Sequence, residues 1–249
     1  MTEITELPSP ATQDTHDFSA VFLHDWRDVT MIHFEIEPER LQLMVPFDLH
    51  TFRGRAYVTL VFFRLERMRT PTCQWLSRQV LRPISDHWFL NVRTYVKHHG
   101  EQGIYFLTEW LENRLAVLLG PVTYGLPYRL ARFNDSSVTT PFGRLTYRAK
   151  TSTHAYAPSQ PGSLDEFLLE RYSAFTQLRG RPHVFRIRHE PWPQRRVEVE
   201  LNSTELLKNT EPWFKHAKLS CAHKSPGLTG VELSRPLWPE TTVNQGARR

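Results

Sequence analysis

Asn91-Val92-Arg93-Thr94-Tyr95 carries the densest chemistry in the chain. Strand periodicity over Trp88–Lys97 sets Trp88, Leu90, Val92, Thr94 and Val96 on one face, and Phe89, Asn91, Arg93, Tyr95 and Lys97 on the other. If the first face packs on an apolar layer, the second meets either water or an enclosed lumen. In a lumen, Arg93 is a fixed fork for a carboxylate or phosphate, with Asn91 as a donor and acceptor beside it. The residues of this strand leave both possibilities open.

Other reactive groupings are weaker. Twelve histidines invite a metal, yet no H-E-x-x-H or H-x-H occurs. His216…Cys221-x-His223 comes closest to a zinc set and lacks a fourth ligand, so no metal and no cofactor is expected. His189, before Glu190-Pro191-Trp192, reads as a hydrogen-bonded structural residue, and His98-His99 as an exposed loop tip. No nucleophile elbow supports Ser-His-Asp chemistry, and the phosphate-cradling glycine loops of a nucleotide site are missing among only 11 glycines.

The 249 residues carry a formal charge of +5, with 25 Arg and 6 Lys making up the 31 basic residues. The arginines are scattered from Arg27 to Arg249 among acids and apolar residues, with no zinc-finger spacing or basic helix. Nucleic acid is therefore not the expected partner, because a binding face would cluster its charge. No run approaches the ~18 consecutive apolar residues of a membrane helix, so no membrane partner is expected. The acidic opening MTEITELPSPATQDTHD is no signal peptide, and Cys73 and Cys221 lie far apart. These features predict a cytoplasmic protein with reduced thiols.

The elements that must position Arg93 read mostly as strands. A polar arm (residues 1–20), one domain (21–240) and a tail (241–249) form the simplest parse. Within the domain, Thr30–Ile36 and Ala56–Leu65 are strands. Glu37-Pro38-Glu39 opens a short helix, and Trp88–Lys97 and Ile104–Trp110 form a hairpin across a long loop, His98–Gly103. Glu112–Leu119 reads as a helix, and Leu145–Lys150, Val184–His189 and Val197–Leu201 as strands. Leu164–Phe175 reads as an amphipathic helix with a capping box from Ser163 and Glu166. Many short-turned strands with a few helices predict a mainly β (α+β) fold, an antiparallel sheet curled into a barrel or sandwich.

Five segments in register carry a resemblance: Asn91–Val96, Gly103-Ile104-Tyr105-Phe106, Leu126-Pro127-Tyr128, Glu170-Arg171-Tyr172 and His189-x-Pro191-Trp192. Together, over roughly residues 22–238, the chain resembles the YqjF-like family of unknown function, within the acetoacetate decarboxylase-like superfamily. The resemblance implies an antiparallel β-barrel with peripheral helices around an internal cavity, which moves Arg93 toward a lumen.

The decarboxylases of that superfamily use a G-x-P-K-K segment whose lysine forms a Schiff base, its pKa lowered by the adjacent lysine. Here the matching segment is Gly125-Leu126-Pro127-Tyr128-Arg129, which puts a phenol and a guanidinium where the two amines belong. Their preceding glutamate falls at Phe89. Schiff-base decarboxylation is thus not expected. What remains is a set of Arg93, Asn91, Tyr128, Arg129 and, by a looser strand match, Arg27. That set predicts a small anionic ligand, with Tyr128 as a hydrogen-bond donor or, if arginines lower its pKa, a general acid–base. Two other readings stand beside this one. A lyase or hydrolase could act on a carbonyl acid through Tyr128 and the arginines. In a non-catalytic scaffold, possibly a homo-oligomer, Arg93 and Arg129 would pair with Glu109 or Glu112, and Tyr128 would merely pack.

Overall fold

The computed structural model describes residues 18–150 and 152–238. The expected tail and all but the last three residues of the expected arm lie outside the described residues.

In chain order, β1 (Ala20–Ile36) leads through α1 (Pro38–Gln42) and β2 (Asp48–Leu49) to β3 (Ala56–Arg69). Next come α2 (Gln74–Leu81), β4 (His87–His98), β5 (Glu101–Leu111) and α3 (Arg114–Tyr124). Then follow β6 (Tyr128–Leu130), β7 (Arg132–Asn134), β8 (Ser137–Thr140), β9 (Gly143–Ala149) and α4 (Leu164–Leu169). The last third holds β10 (Ser173–Leu178), β11 (Arg181–Arg188), β12 (Arg195–Val197), β13 (Val199–Thr204), α5 (Glu205–Thr210) and β14 (Lys218–Ser234).

One sheet runs β4-β3-β1-β14-β11-β10-β5, and because β5 also pairs with β4 the hydrogen-bonded order returns to its start. Most pairs in it are antiparallel; β5 pairs in parallel with β10 and with β6. A second, open sheet has the order β13-β9-β8-β7. The fold is therefore mainly β, as its sequence patterning predicts.

Both faces of the large sheet are covered, which explains why Ala56–Phe63 is apolar without alternation. Ala56, Val58, Leu60 and Phe62 join Val138, Leu145 and Tyr147 of the second sheet and Trp213 in an outer core. Tyr57, Val61 and Phe63 join Phe89, Tyr95, Phe106 and the α4 residues Phe167, Leu168 and Leu169 in an inner one. Each fully buried Leu or Phe in these layers contributes about 2 kcal/mol.

Three local expectations need correction. The helix read as Leu164–Phe175 stops at Leu169, although Ser163 caps it by accepting the Glu166 N–H at 3.1 Å. Ser173–Leu178 instead becomes β10, because it can pair with β11 and β5 at once. The hairpin loop shrinks to His99-Gly100, whose φ values of +50° and +84° suit a two-residue turn matched to strand twist. Finally, β14 had no counterpart in the patterning. Its Pro226, Gly227 and Gly230 mask a 17-residue strand, and Gly227 (φ +103°) is needed because a Cβ there would collide with the Trp26 carbonyl.

Two helices leave apolar side chains outward: Trp75, Leu76 and Val80 on α2, and Leu115, Leu118, Leu119 and Val122 on α3. Among the described residues no helix is long and apolar enough to cross a membrane.

Candidate functional site: an inner cluster of polar residues

Register fixes which side chains share the inner face. One row crosses the sheet as Cys221, His33, Thr59, Arg93 and Phe106, each residue paired with the next. A neighbouring row runs His223, Met31, Val61, Asn91, Glu109 and Tyr128. A register shift between Val92 and Arg93 inserts an extra residue in β5, so Phe106 and Glu109 face the same side although three apart. The strand alternation that singles out Asn91 and Arg93 thus brings them next to Glu109 and Tyr128.

Arg93 is buried, and its Nε and Nη2 have no hydrogen-bond partner. Burial lowers its pKa, while the charge and hydroxyl of Tyr95, then Glu109 and Glu170, support the guanidinium. Arg171 enters from the end of α4. Its guanidinium lies 4.5 Å from the Phe167 ring centre and 5.4 Å from that of Tyr95, and its Nη1 donates to the Glu170 carbonyl at 3.2 Å. Its Nε and Nη2 are likewise buried without partners. Burial draws its pKa down to about 10, and Arg93 adds repulsion. No carboxylate oxygen lies within 4.0 Å of either guanidinium among the described residues.

Two of the acids, Glu170 and Glu112, are otherwise engaged. Glu170 accepts from the Tyr172 hydroxyl at 2.6 Å and from the Trp192 N–H at 3.1 Å. Glu112 holds the backbone N–H of Trp88 and Phe133. Glu109 is buried with Oε2 unpartnered, and burial pushes its pKa well above the carboxylate range, with Arg93 opposing only in part.

Tyr128 sits under α3, in a notch that exists because position 120 is glycine; a Cβ there would collide with its ring. Burial, followed by Glu109 and Tyr124, pushes its phenol pKa well above 10. The expected lowering by arginines is therefore reversed, chiefly because burial disfavours the phenolate. Arg129, the next residue along β6, points the other way by strand alternation. It is exposed and stacks on Trp110 at 5.5 Å, in the outer core. Arg27 also lies apart, 3.5 Å from the buried Asp25, which Arg67 and Arg69 approach as well. The structure thus gathers Asn91, Arg93 and Tyr128 and leaves out Arg129 and Arg27.

Neither Arg171, quoted only within the Glu170-Arg171-Tyr172 segment, nor His33 is among the site residues expected from the sequence. Arg171 falls on the apolar face of the helix read over Leu164–Phe175, and a charge there was the available signal. His33 lies 190 residues from its partner, His223, and nothing local marks it. His33 Nε2 stands 2.9 Å from His223 Nδ1, and its Nδ1 stands 2.8 Å from Thr59 Oγ1. Cys221 completes a group whose ligand atoms lie within 4.8 Å of one another. The His216…Cys221-x-His223 spacing, from which no metal is expected, thus loses His216, exposed at the end of a short 3-10 turn, and gains His33.

All six lysines (Lys97, Lys150, Lys208, Lys215, Lys218 and Lys224) are exposed or half-buried, and none belongs to either inner row. No primary amine of a lysine therefore reaches the inner cluster. Two clefts flank Tyr105 and Gln177 at the junction of β5 and β10, and neither is lined by the inner polar residues. Unpartnered buried groups mark the inner cluster.

Comparison with known proteins agrees with this fold. The profile of DUF2071, described as an uncharacterized conserved protein, matches residues 24–229. The uncharacterized protein YqjF of Bacillus subtilis (strain 168) is 28% identical over 212 residues, covering 78% of this chain and 86% of that one. Among solved structures, the enduracididine biosynthesis enzyme MppR complexed with pyruvate superposes with a TM-score of 0.57 at 12% identity, covering 94% and 96% of the two chains. An acetoacetate decarboxylase-like enzyme from Sphingomonas wittichii RW1 gives 0.55 at 15% identity, covering 96% and 100%. Acetoacetate decarboxylase from Legionella pneumophila gives 0.52 at 14%, covering 93% and 94%.

Proposed function

Because this chain belongs to the DUF2071 family and has an acetoacetate decarboxylase-like fold, we propose that it binds a small organic carboxylate within a closed β-barrel. Arg93 and Arg171 serve as the cationic fork, and no amine takes part. The return of the strand order from β5 to β4 supports the barrel. The observation that carries the ligand reading is the pair of buried guanidiniums, each with Nε and Nη2 unpartnered and no carboxylate within 4.0 Å. An uncompensated buried charge costs several kcal/mol, and one carboxylate that bridges both removes the cost. Asn91 and Tyr128 add neutral hydrogen-bonding groups at the edge of the same cluster. That MppR is seen with pyruvate supports a small carboxylate as the class to try first.

A catalytic reading is favoured by one observation and moves the proton donor. Glu109, buried with Oε2 unpartnered and pushed by burial toward its neutral form, can hydrogen-bond or protonate a ligand carbonyl, as carboxylic acids held above their usual pKa do. Tyr128, with a raised pKa, is poorly suited to act as a base. Turnover of a carbonyl-acid panel that is lost in Glu109→Gln and kept in Tyr128→Phe would support this version.

The binding reading is tested by a thermal-shift screen of small carboxylates and phosphates on the wild type and on Arg93→Met. A ligand that binds the folded state raises Tm, by about 2.7 kcal/mol of stabilisation at a hundredfold excess over Kd. The gain should vanish in the variant. A Tm gain of equal size in both proteins would remove Arg93 from the site.

A further inference from the structure

Cys221-Ala222-His223 on β14 sends Cys221 and His223 to the same face, and the β1–β14 register sets His33 directly opposite Cys221. Three ligand atoms of two types therefore converge by strand geometry: two imidazole nitrogens and a thiol sulfur, within 4.8 Å of one another. Both histidines are buried and Cys221 half-buried.

Counting protons along the attached chain shows what the cluster requires. The Tyr95 hydroxyl lies 2.8 Å from the Leu168 carbonyl, which can only accept, so Tyr95 donates there. Thr59, 2.6 Å from the Tyr95 oxygen, must then give its single hydroxyl proton to Tyr95. Thr59 can only accept from His33 Nδ1, so that nitrogen carries the His33 proton. His33 Nε2 is left as a bare lone pair, aimed at His223 Nδ1 at 2.9 Å. On its far side, His223 Nε2 stands 3.2 Å from Asp165 Oδ1, off the line of a good hydrogen bond, and is best served by carrying a proton toward that carboxylate. In that tautomer two lone pairs face each other beside a thiol, an arrangement that a bound cation relieves; in the other, His223 Nδ1–H donates to His33 Nε2 and leaves His223 Nε2 bare beside Asp165.

We propose that His33 Nε2, His223 Nδ1 and Cys221 Sγ form a binding site for a zinc-class transition-metal ion. The donor set is borderline-soft, as such ions prefer, and three protein ligands leave room for one more. Thr59 and Asp165 hold the remote ring nitrogens, the outer-shell arrangement that orients metal-bound histidines. On binding, Cys221 loses its thiol proton to solvent, two N–M bonds and one S–M bond form, and no electrons are exchanged. The site does not depend on the carboxylate reading; the Thr59–Tyr95 hydrogen bond links the two, with Thr59 between His33 and Arg93 in one row.

The test uses the full chain in a Cys73→Ser background, where Cys221 is the sole thiol. Metal-stripped protein is titrated with Zn²⁺ and with Co²⁺ in the absence of any carboxylate. One Co²⁺ per chain with a thiolate-to-cobalt charge-transfer band, and protection of Cys221 from a thiol reagent by Zn²⁺, are expected. Affinity should fall at least tenfold in His223→Gln, and the band should disappear in Cys221→Ser. His98→Gln, at the end of β4, should change neither. Absence of stoichiometric binding, binding without a sulfur band, or affinity unchanged in His223→Gln would each overturn the proposal and leave a shared proton between the rings. If Cys221→Ser fails to fold, the thiol-protection experiment on the parent still decides the matter.

Discussion

Arg93 and Arg171 approach the same phenol from different elements. Arg93, on β4, is supported by the Tyr95 hydroxyl, while Arg171, beyond α4, lies 5.4 Å from the centre of the Tyr95 ring. Two like charges share one buried neighbourhood, and the described residues supply no carboxylate within ion-pairing distance of either. That arrangement is unfavourable for the empty fold and suited to an anion.

It follows that Arg93→Met should not weaken the ligand-free protein. Replacing buried ionic groups with apolar residues of similar volume is often neutral or stabilising by about 1–4 kcal/mol. Chemical denaturation without ligand should show a midpoint equal to or above that of the wild type. A loss of more than about 2 kcal/mol would mean that Arg93 is a structural residue already satisfied by its surroundings.

Asp25 is the contrasting case. It is fully buried, yet it meets Arg67 and Arg69 and accepts from the Gly230 N–H at 2.9 Å. Burial raises its pKa, but Gly230, Arg67 and Arg69 together outweigh burial and hold it below the usual value. Asp25→Ala should cost about 3–5 kcal/mol, since it strips the counter-charge from three arginines. A change below 1 kcal/mol in urea denaturation would contradict this role.

The buried histidines predict how stability depends on pH. Burial lowers His24, His87 and His189 from 6.5 to about 4. Between those values the unfolded chain binds protons that the folded chain refuses. Stability is therefore complete above pH 6.5 and is lost as pH falls toward 4. The loss approaches about 1.4 kcal/mol per pH unit for each histidine. Thermal melts at pH 7.5, 6 and 5 should show Tm falling steadily; a flat profile would contradict the burial of these rings.

Amine chemistry has its own test. Because no lysine reaches the inner cluster, borohydride reduction with pyruvate or acetoacetate should leave the intact mass unchanged. A stoichiometric adduct on a lysine would show that an amine reaches the ligand after all.

Legibility in the sequence followed the range of the interaction. Period-two alternation sufficed to put Asn91 and Arg93 on one face, and the G-x-P segment sufficed to show that Tyr128 replaces a lysine. Alternation applied to Tyr128-Arg129 would also have separated the two, since neighbours on a strand cannot share a face. The meeting of Asn91 with Glu109 and Tyr128 depends on pairings across three strands and a bulge in β5, which no local pattern reveals. Arg171 was hidden by a helical period that runs on past Leu169, where pairing with β5 and β11 overrides helix propensity. His33 and His223 meet only because β1 pairs with β14, the one long strand that proline and glycine disguised.

The account stands most directly on the affinity of a small carboxylate for the inner cluster. Isothermal titration of the ligand-free chain with pyruvate, or with the strongest carboxylate from the thermal screen, should give one site per chain. Binding should weaken at least tenfold in Arg93→Met and in Arg171→Met, each of which should stay folded, and should remain unchanged in Arg129→Met, whose side chain lies on the outer face. Equal affinity in the wild type and both inner variants, or loss of binding in Arg129→Met alone, would contradict it.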